Sequence, residues 1–370
     1  LYSNGRIKEA LNRVEALIKD YPNEALLYNI SGVCYKAIDK LDAAVESFEK
    51  ALAIKPDYTE VCFNLGVTLK ELGQPDTAVK CYKKAITLKP DYTDAHYNLG
   101  NAFKELGQLE DAAKSYEQAL TFKPDYADAH YNLGNIFMDE RQLDDAVKSY
   151  EKALTFKPDY ADAYRNRGSA MKLLKRLDEA LASYESAIAL DPELVFILGD
   201  IYFTKMHLCI WDDLSSHLNK LTNKVNNGEK VLNPFPSLSM IDDPEMQRKT
   251  AEIYANDKYP QNNFLPKIGR YPKHKKIRIG YFSADFRDHP VSHLTAELYE
   301  VHDRERFEIH AFSFGPVTED EMTLRIKVGV DHFHDVRTMS YADTAMLARS
   351  VELDIAVDLG GYTANCRTGI

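Results

Sequence analysis

Two segments near the C-terminal end of this 370-residue chain combine side chains that are suited to proton transfer. The first, SADFRDHPVSHL at 283–294, contains Asp285, His289 and His293 and follows a strand-like run. Pro290 favours the start of a helix, and a histidine at a helix N-terminus tends to have a lowered pKa, which favours the neutral form that a general base needs. This segment is therefore the first candidate for a functional site. The alternative, which the residues alone favour, is that His289 before a proline is a turn residue hydrogen-bonded to the backbone.

The second segment, DLGGYTANCR at 358–367, holds Asp358 and a glycine pair, and glycine allows the backbone to come close to a ligand. An aspartate at a strand end is as readily a capping residue as a cleft residue, so both interpretations of Asp358 stay open. Neither segment contains the GxGxxG fingerprint of dinucleotide-binding folds, so the sequence does not indicate a nicotinamide or flavin cofactor.

Histidines outside these segments are interpreted as structural. His332 and His334 alternate onto one face of a predicted strand, as a metal pair would, but the sequence shows no third ligand and we expect no metal. His96 and His130 occupy a consensus aromatic position, where packing at the rim of a helical core is expected.

Alternating strand and helix patterns surround the two segments. Strands are predicted at 276–283, 307–314, 331–336 and 354–362, and helices at 292–303, 319–329 and 340–352. Strands that alternate with helices predict βαβ units and a mostly parallel sheet with right-handed crossovers. In such sheets, ligands bind beyond the carboxyl ends of the strands, where both candidate segments fall.

The first half of the chain is organised differently, because prolines recur every 34 residues at positions 22, 56, 90, 124, 158 and 192. A period of this length is typical of stacked helix–turn–helix units that cannot bury their apolar faces alone. The predicted units span 25–58, 59–92, 93–126, 127–160 and 161–194. Residues 1–24 supply the second half of an earlier unit, and the sequence predicts an α-solenoid over 1–194.

Small and aromatic residues recur in each unit where two antiparallel helices need them. A glycine on the first helix lets the partner helix approach: Gly32, Gly66, Gly100, Gly134 and Gly168. An aromatic residue on the second helix is expected to fill the gap between units: Phe48, Tyr82, Tyr116, Tyr150 and Tyr184. These positions resemble the tetratricopeptide consensus, and the resemblance implies a right-handed superhelix with a concave peptide-binding groove.

An asparagine recurs two residues before the repeat glycine in four consecutive units, at Asn64, Asn98, Asn132 and Asn166. Asparagine is a poor residue for a helix interior because its amide competes with the backbone for hydrogen bonds. A stack of primary amides offers donors and acceptors to an extended peptide backbone, so we predict a peptide-binding column. The alternative is that these amides only support repeat packing.

Residues 195–273 carry neither pattern and are predicted to form a helical connector. Helix is predicted for residues 194–223, which include the only tryptophan of the chain. A second helix is predicted at 242–259, with Asp242 or Asp243 as its cap.

Composition excludes several classes of protein. The net charge of −11 argues against nonspecific nucleic-acid binding, and no apolar run approaches the roughly 18–20 residues that a membrane-spanning helix needs. Five cysteines without a CxxC pair fit a reducing compartment, so we expect a cytoplasmic protein without nucleic-acid or membrane partners.

The chain opens at Leu1 inside a helical pattern and stops at Ile370 soon after a strand-like run, so we expect a fragment of a longer protein.

The C-terminal part of the chain resembles the start of the catalytic domain in O-GlcNAc transferases and SPINDLY-type glycosyltransferases. The resemblance lies in the run KIRIGYFSADFRDHPVSHL and the later run DLGGYTANCR. In that family a tetratricopeptide superhelix precedes the catalytic domain, as it does here. The resemblance implies two Rossmann-like lobes in a GT-B arrangement, with residues 274–370 forming a truncated N-terminal lobe. His289 matches the histidine proposed to act as base or to position the acceptor, and His293 is a weaker catalytic candidate in the same motif. Asp285 and Asp358 are assigned to the cleft. The turn at the cleft is matched by Gly361, Tyr362 and Thr363.

The implied activity is transfer of a sugar, with GlcNAc favoured, from a nucleotide donor such as UDP-GlcNAc to Ser or Thr hydroxyls of acceptor proteins held by the repeats. The resemblance implies no cofactor and no metal, because protein groups stabilise the departing diphosphate in this family. It also implies that a later lobe binds most of the nucleotide, so we expect this chain alone to be inactive. Two alternatives stay open: an interaction scaffold without catalysis, and an O-fucosyltransferase of the SPINDLY branch.

Overall fold

A computed structural model describes residues 6–260, 265, 269, 271, 273–316, 318–361, 367 and 370. The chain divides into two compact units. One takes in the chain up to Ile197 together with Thr204–Ile210, and the other takes in Leu198–Phe203 and the chain from Trp211 onward. Among the described residues, no helix combines the length and the apolar character that crossing a membrane requires.

The first unit is built from antiparallel helix pairs. Helix α1 (Ile7–Asp20) precedes five pairs, which are α2 (Ala25–Ala37) with α3 (Leu41–Ile54), α4 (Thr59–Glu71) with α5 (Pro75–Leu88), α6 (Thr93–Glu105) with α7 (Leu109–Phe122), α8 (Ala127–Asp139) with α9 (Leu143–Phe156), and α10 (Ala161–Leu173) with α11 (Leu177–Leu190). These bounds confirm the five units and the preceding half unit that the period predicts.

The KPDY motif separates one unit from the next. Its proline follows the last helical residue by two positions, because the residue before a proline is driven out of the helical region. In all four motifs the lysine Nζ lies over the tyrosine ring, at 4.1 to 5.2 Å from the ring centroid. Each tyrosine then stands directly before the first residue of the next helix.

The repeat aromatic lies against the glycine of its own unit. A Cβ added to Gly100 would come within 2.6 Å of Tyr116 Cε1, and one added to Gly134 within 2.7 Å of Tyr150 Cε1. Each ring is fully buried. The ring therefore fills the space above the glycine between the two helices of one pair, whereas the sequence placed it between units.

Four helices follow the repeats, α12 (Ile197–His207), α13 (Leu214–Asn226), α14 (Pro234–Met240) and α15 (Pro244–Lys258). The prediction of helix throughout 194–223 is wrong at 208–213, where the chain turns and Trp211 lies. Cys209 and Asp213 have φ of 58° and 53°, in the left-handed region, which interrupts the helix. At α15, the predicted cap is confirmed: Asp243 accepts hydrogen bonds from the first-turn backbone.

The C-terminal part is a parallel sheet with helices on both faces. Its elements are β1 (Ile277–Ser283), α16 (Pro290–Val301), β2 (Phe307–Ser313), α17 (Glu321–Gly329), β3 (His332–Asp335), α18 (Tyr341–Ser350) and β4 (Ile355–Asp358), with strand order β3-β2-β1-β4. All three strand pairings are parallel. The predicted α/β region is confirmed, and it forms part of a Rossmann-like lobe.

Two apolar layers enclose this sheet. On one face, Ile279 and Ile309 pack with Tyr299 of α16 and Ile326 of α17. On the other, stacked Phe282 and Phe312 pack with residues of α18. The layers fix the strand ends, and the loops that leave those ends carry both candidate segments.

Candidate functional site

His289 lies at the carboxyl end of β1, where the loop enters α16. It is the N-cap residue of that helix, and its Nδ1 accepts a hydrogen bond from the backbone N–H of Val291 at 3.3 Å. A ring nitrogen that accepts a hydrogen bond carries no proton, so the neutral imidazole in this arrangement has its proton on Nε2. In this tautomer His289 caps the helix, and Nε2 can donate but cannot accept a proton.

Asp285 lies beside the same ring nitrogen. Its Oδ2 is 3.7 Å from His289 Nδ1, and its Oδ1 accepts a hydrogen bond from Arg287 at 3.3 Å. The side chains of Asp285 and His289 are 19% and 33% exposed. A carboxylate at this distance favours a proton on the nitrogen that faces it. A small rotation of the ring would let Nδ1–H donate to Asp285 and leave Nε2 free to take a proton.

Backbone and hydroxyl bonds hold this loop in place. The Asp285 N–H donates to Ser283 Oγ at 3.0 Å, and Ser292 Oγ donates to the Asp285 carbonyl. The Asp288 N–H donates to Asp320 Oδ2 at 3.0 Å. The loop is thereby attached to β1, to α16 and to the start of α17, which Asp320 caps.

Asp320 caps α17 while also holding the loop. It accepts hydrogen bonds from the backbone N–H groups of Thr323 and Asp288, and these lower the pKa of Asp320 to about 2. Its carboxylate therefore stays charged across the neutral and mildly acidic range. Asp320 was not predicted from the sequence. Its place three residues before Thr323, at the start of a helical pattern, was the signal that could have identified it as a cap.

His293 lies one turn further along α16 and pairs with a different carboxylate. Its Nε2 is 2.7 Å from Asp288 Oδ1, and both side chains are exposed. The structure thus brings His289 together with Asp285, and His293 together with Asp288. The second pair is a surface pair, and a catalytic role of His293 stays a prediction.

Asp358 ends β4 and lies opposite Phe282 of β1 in the sheet register. Its Oδ1 accepts hydrogen bonds from the N–H groups of Gly360 at 2.9 Å and Gly361 at 3.1 Å, and Gly361 has a φ of +53°. Asp358 therefore caps the turn, one of the two interpretations left open. Tyr362 and Thr363 lie outside the described residues.

A cavity of about 430 Å³ adjoins the same strand end. Asp358 is one of its lining residues, and most of the others are apolar, including Phe282, Ala348 and Leu353. A concave, mostly apolar space with a few polar groups is what a small-ligand site requires. Asp358 thus caps a turn and also faces a space large enough for a ligand.

The asparagine column joins successive repeats. Asn132 Nδ2 donates to Tyr97 OH at 3.1 Å and to Asn101 Oδ1 at 3.3 Å. Asn166 Nδ2 donates in the same way to Tyr131 OH at 3.1 Å and to Asn135 Oδ1 at 2.9 Å. All four of these hydrogen bonds cross to the preceding unit, so the amides of Asn132 and Asn166 support repeat packing.

The other two members of the column differ from this pattern. Asn64 Nδ2 donates to Asn29 Oδ1 of the preceding unit at 3.3 Å, whereas Asn98 Nδ2 donates to the Asp94 carbonyl of its own helix at 2.8 Å. All four side chains are half-buried. Peptide binding by the column stays a prediction.

Asn101 and Asn135, which accept these inter-repeat bonds, were not predicted from the sequence. The motif YNLGN, present at 97–101 and again at 131–135, was the signal that could have identified them. His96 and His130 lie as expected at the rim of the core, where each Nε2 contacts a proline carbonyl of the preceding motif at 2.8 or 2.9 Å.

Comparison with known families gives matches in both halves of the chain. The model described as "Glycosyl transferase family 41" matches residues 250–370. Tetratricopeptide models match residues 1–59, 68–107, 100–140, 134–175 and 161–194. The chain therefore carries tetratricopeptide repeats followed by a segment that is similar to glycosyl transferase family 41.

Curated relatives include the probable UDP-N-acetylglucosamine–peptide N-acetylglucosaminyltransferase SEC of Arabidopsis thaliana, which is 28% identical over 179 residues, covering 44% of this chain and 18% of that protein. The corresponding enzyme named SPINDLY in Oryza sativa subsp. japonica is 32% identical over 117 residues, covering 30% of this chain and 12% of that protein. The matched region thus spans less than a fifth of each relative. These names confirm the resemblance to O-GlcNAc transferase and SPINDLY-type enzymes.

Solved structures with a similar chain include an O-GlcNAc transferase mutant of Thermobaculum terrenum. It is 21% identical, with a TM-score of 0.30, and the match covers 80% of this chain and 45% of that chain. The crystal structure of MamA is 28% identical, with a TM-score of 0.43, and covers 44% of this chain and 95% of that chain.

Proposed function

We propose that this chain is part of a protein O-glycosyltransferase that transfers a sugar, with GlcNAc favoured, from a nucleotide donor to Ser or Thr hydroxyls of acceptor proteins. The observation that carries this proposal is the presence, in one chain, of a tetratricopeptide array and a family 41 segment. The names of the curated relatives support UDP-GlcNAc as the donor. We also propose a GT-B arrangement, in which a second lobe binds most of the nucleotide.

In the proposed reaction, the acceptor oxygen forms a bond to the anomeric carbon as the sugar–phosphate bond breaks. The nucleotide leaves with the bonding electron pair, and the acceptor hydroxyl gives up its proton. A positioned general base contributes about 10²–10⁴-fold to such a step. We assign this role to His289 Nε2.

His289 can accept a proton at Nε2 only in the tautomer that carries its other proton on Nδ1. Asp285 supports that tautomer, because its Oδ2 faces Nδ1 at 3.7 Å. The same carboxylate stabilises the imidazolium that forms when the proton arrives. The helix-capping tautomer, in which Nδ1 accepts from Val291, is then the resting state of the site.

Acceptor proteins bind the repeats in this proposal. The N–H groups of Asn132 and Asn166 are already donated to the preceding unit, so each side chain offers a peptide chiefly its Oδ1 acceptor. We therefore propose that the column recognises backbone N–H groups of an extended segment.

A cytoplasmic location fits the described cysteines, which are free thiols: Cys34, Cys62, Cys81 and Cys209.

The test measures transfer of labelled sugar to acceptor protein by the full-length enzyme and its His289→Ala variant, with Glu297→Gln on the exposed face of the same helix as the control. His289→Ala should lower kcat by about 10²-fold or more while acceptor binding is retained. Wild-type turnover by this variant would contradict the assignment.

Donor and scaffold alternatives are separated by the same assay. Transfer from GDP-fucose and not from UDP-GlcNAc would favour the SPINDLY branch, and transfer from neither donor would favour a scaffold. The 370 residues alone are expected to bind acceptor without transferring sugar, and turnover by them would contradict that expectation.

A further inference from the structure

Four titratable side chains lie on one face of the sheet where β2 runs beside β3. Glu308 and His310 alternate onto this face from β2, and His332 and His334 do so from β3. The register places His310 opposite His332. The sequence offered only the β3 pair, and parallel strand pairing adds the other two side chains.

Three of these side chains direct atoms at a common point. His310 Nε2 and His332 Nε2 each lie 3.2 Å from Glu308 Oε1. The three ligand atoms all lie within 4.8 Å of one another. Two ligand atoms bound at about 2.1 Å to one tetrahedral ion are roughly 3.4 Å apart. The two spacings to Glu308 are therefore close to those of ligands around a single ion, and the third lies within 4.8 Å.

Neighbouring groups orient two of these ligands, His310 and Glu308. His334 Nε2 lies 3.1 Å from His310 Nδ1, so His310 can donate its Nδ1 proton to His334 while Nε2 binds a metal. Arg278 lies 3.4 Å from Oε2 of Glu308, which leaves Oε1 for the ion. A metal-bound histidine with a partner on its other nitrogen is the usual arrangement.

Burial differs across the cluster in a way that suits metal binding. The side chain of His310 is 4% exposed, that of Glu308 25%, and that of His332 50%. One side of the cluster is therefore fixed in the sheet, and the other is open to solvent. An ion can enter from the His332 side and keep a water as its fourth ligand.

We propose that Glu308, His310 and His332 bind one Zn²⁺ ion, which links β3 to β2. Two imidazoles and one carboxylate are a known ligand set for Zn²⁺, whereas Mg²⁺ and Ca²⁺ prefer oxygen ligands alone. Glu308 and His332 lie near the amino ends of their strands, at the end of the sheet opposite to His289 and Asp358. The proposal is therefore independent of the glycosyltransferase assignment.

The experiment is equilibrium dialysis of the full chain against Zn²⁺, with metal content measured per chain. Wild-type protein should bind one Zn²⁺ at the cluster. His332→Ala and Glu308→Gln should each remove this binding, and His334→Ala should weaken it about 10- to 100-fold. Glu305→Gln, an exposed carboxylate three residues before Glu308, is the matched control and should bind as wild type.

Thermal unfolding gives a second readout. Zn²⁺ should raise the Tm of the wild type and of Glu305→Gln but not that of His332→Ala, and Mg²⁺ should shift none of them. His332 is the deciding position because its half-exposed side chain can be removed without opening the core. Absence of Zn²⁺ binding by the wild type, or wild-type binding by His332→Ala and Glu308→Gln, would overturn the proposal.

Discussion

Tyr150 donates its hydroxyl proton to Asn135 Oδ1 at 2.8 Å, and the same oxygen accepts a hydrogen bond from Asn166 of the next unit. The preceding unit repeats this arrangement with Tyr116 and Asn101, at 2.7 Å. The asparagine thus joins the buried core of one repeat to the first helix of the next.

One unit has the tyrosine without its partner. In the unit 59–92, Val67 occupies the position of Asn101 and Asn135, and the buried hydroxyl of Tyr82 has no hydrogen-bond partner among the described residues. A buried hydroxyl left unpaired costs free energy, whereas a paired one contributes modestly. Two tyrosines at equivalent positions are therefore expected to respond differently to the same substitution.

Tyr150→Phe should lower the free energy of unfolding by about 1–2 kcal/mol, because it removes one of the two hydrogen bonds that Asn135 Oδ1 accepts. Tyr82→Phe should be neutral or stabilising, since it removes only an unpaired hydroxyl. Urea unfolding followed by the helical circular dichroism signal compares the two variants directly. Equal destabilisation by both would contradict this account.

Asn166→Ala should also destabilise the repeats by about 1–2 kcal/mol, because it removes two hydrogen bonds to the preceding unit. Asn98→Ala is the matched control. Its amide bonds only within its own helix, so its effect should be within about 0.5 kcal/mol. The same urea unfolding experiment applies, and a loss at Asn98 as large as that at Asn166 would show that the inter-repeat bonds are not responsible.

Peptide recognition by the column can be tested where stability is least affected. Asn98→Ala should weaken binding of an extended acceptor peptide to the repeats while leaving the fold intact, because its Oδ1 is offered to a ligand in our proposal. Fluorescence anisotropy of a labelled peptide measures the change in Kd. Unchanged affinity in this variant would count against the peptide-binding column.

Asp285→Asn should lower kcat for sugar transfer more than it changes KM for acceptor, because the amide no longer favours a proton on His289 Nδ1. His293→Ala should have a smaller effect than either Asp285→Asn or His289→Ala, since His293 pairs with Asp288 at the surface. Steady-state kinetics over a range of pH would check the order. Loss of activity at His293 equal to that at His289 would contradict it.

The attachment of the loop before α16 to Asp320 depends on pH, because the pKa of Asp320 is lowered from an ordinary value of 3.8 to about 2. A carboxyl group with a lowered folded-state pKa contributes stability that is fully present above its unfolded value and is lost as pH falls through the folded value. The attachment of Asp288 to Asp320 should therefore persist at pH 4 and weaken progressively toward pH 2. Carboxyl-carbon NMR should give a midpoint near 2 for Asp320, and a midpoint near 3.8 would show that the two backbone bonds do not form.

The repeats and the alternation of strands and helices were predictable because they depend on local pattern. A proline every 34 residues fixes where each unit ends, and β-branched runs mark the strands. The turn at 208–213 was not predictable, because Cys209 and Asp213 adopt left-handed backbone angles without being glycine. Local propensity does not signal such residues.

Site geometry was predictable only where it lies along one helix or loop. The cap at His289 follows from the His-Pro sequence, and Asp285 was known to lie in the same segment four residues earlier, whereas their contact comes from the structure. The cluster of Glu308 with His332 depends on strand register, which no short motif encodes. The direction of the asparagine amides depends likewise on how neighbouring repeats stack.

The strand order β3-β2-β1-β4 makes the boundary between β1 and β4 a topological switch point. The chain leaves β1 toward α16 on one face of the sheet, whereas α18 reaches β4 from the other face. A crevice opens where successive connections diverge in this way. His289 follows the end of β1 and Asp358 ends β4, so the two candidate segments lie on opposite sides of the switch point, and in our proposal a ligand bound there would contact both.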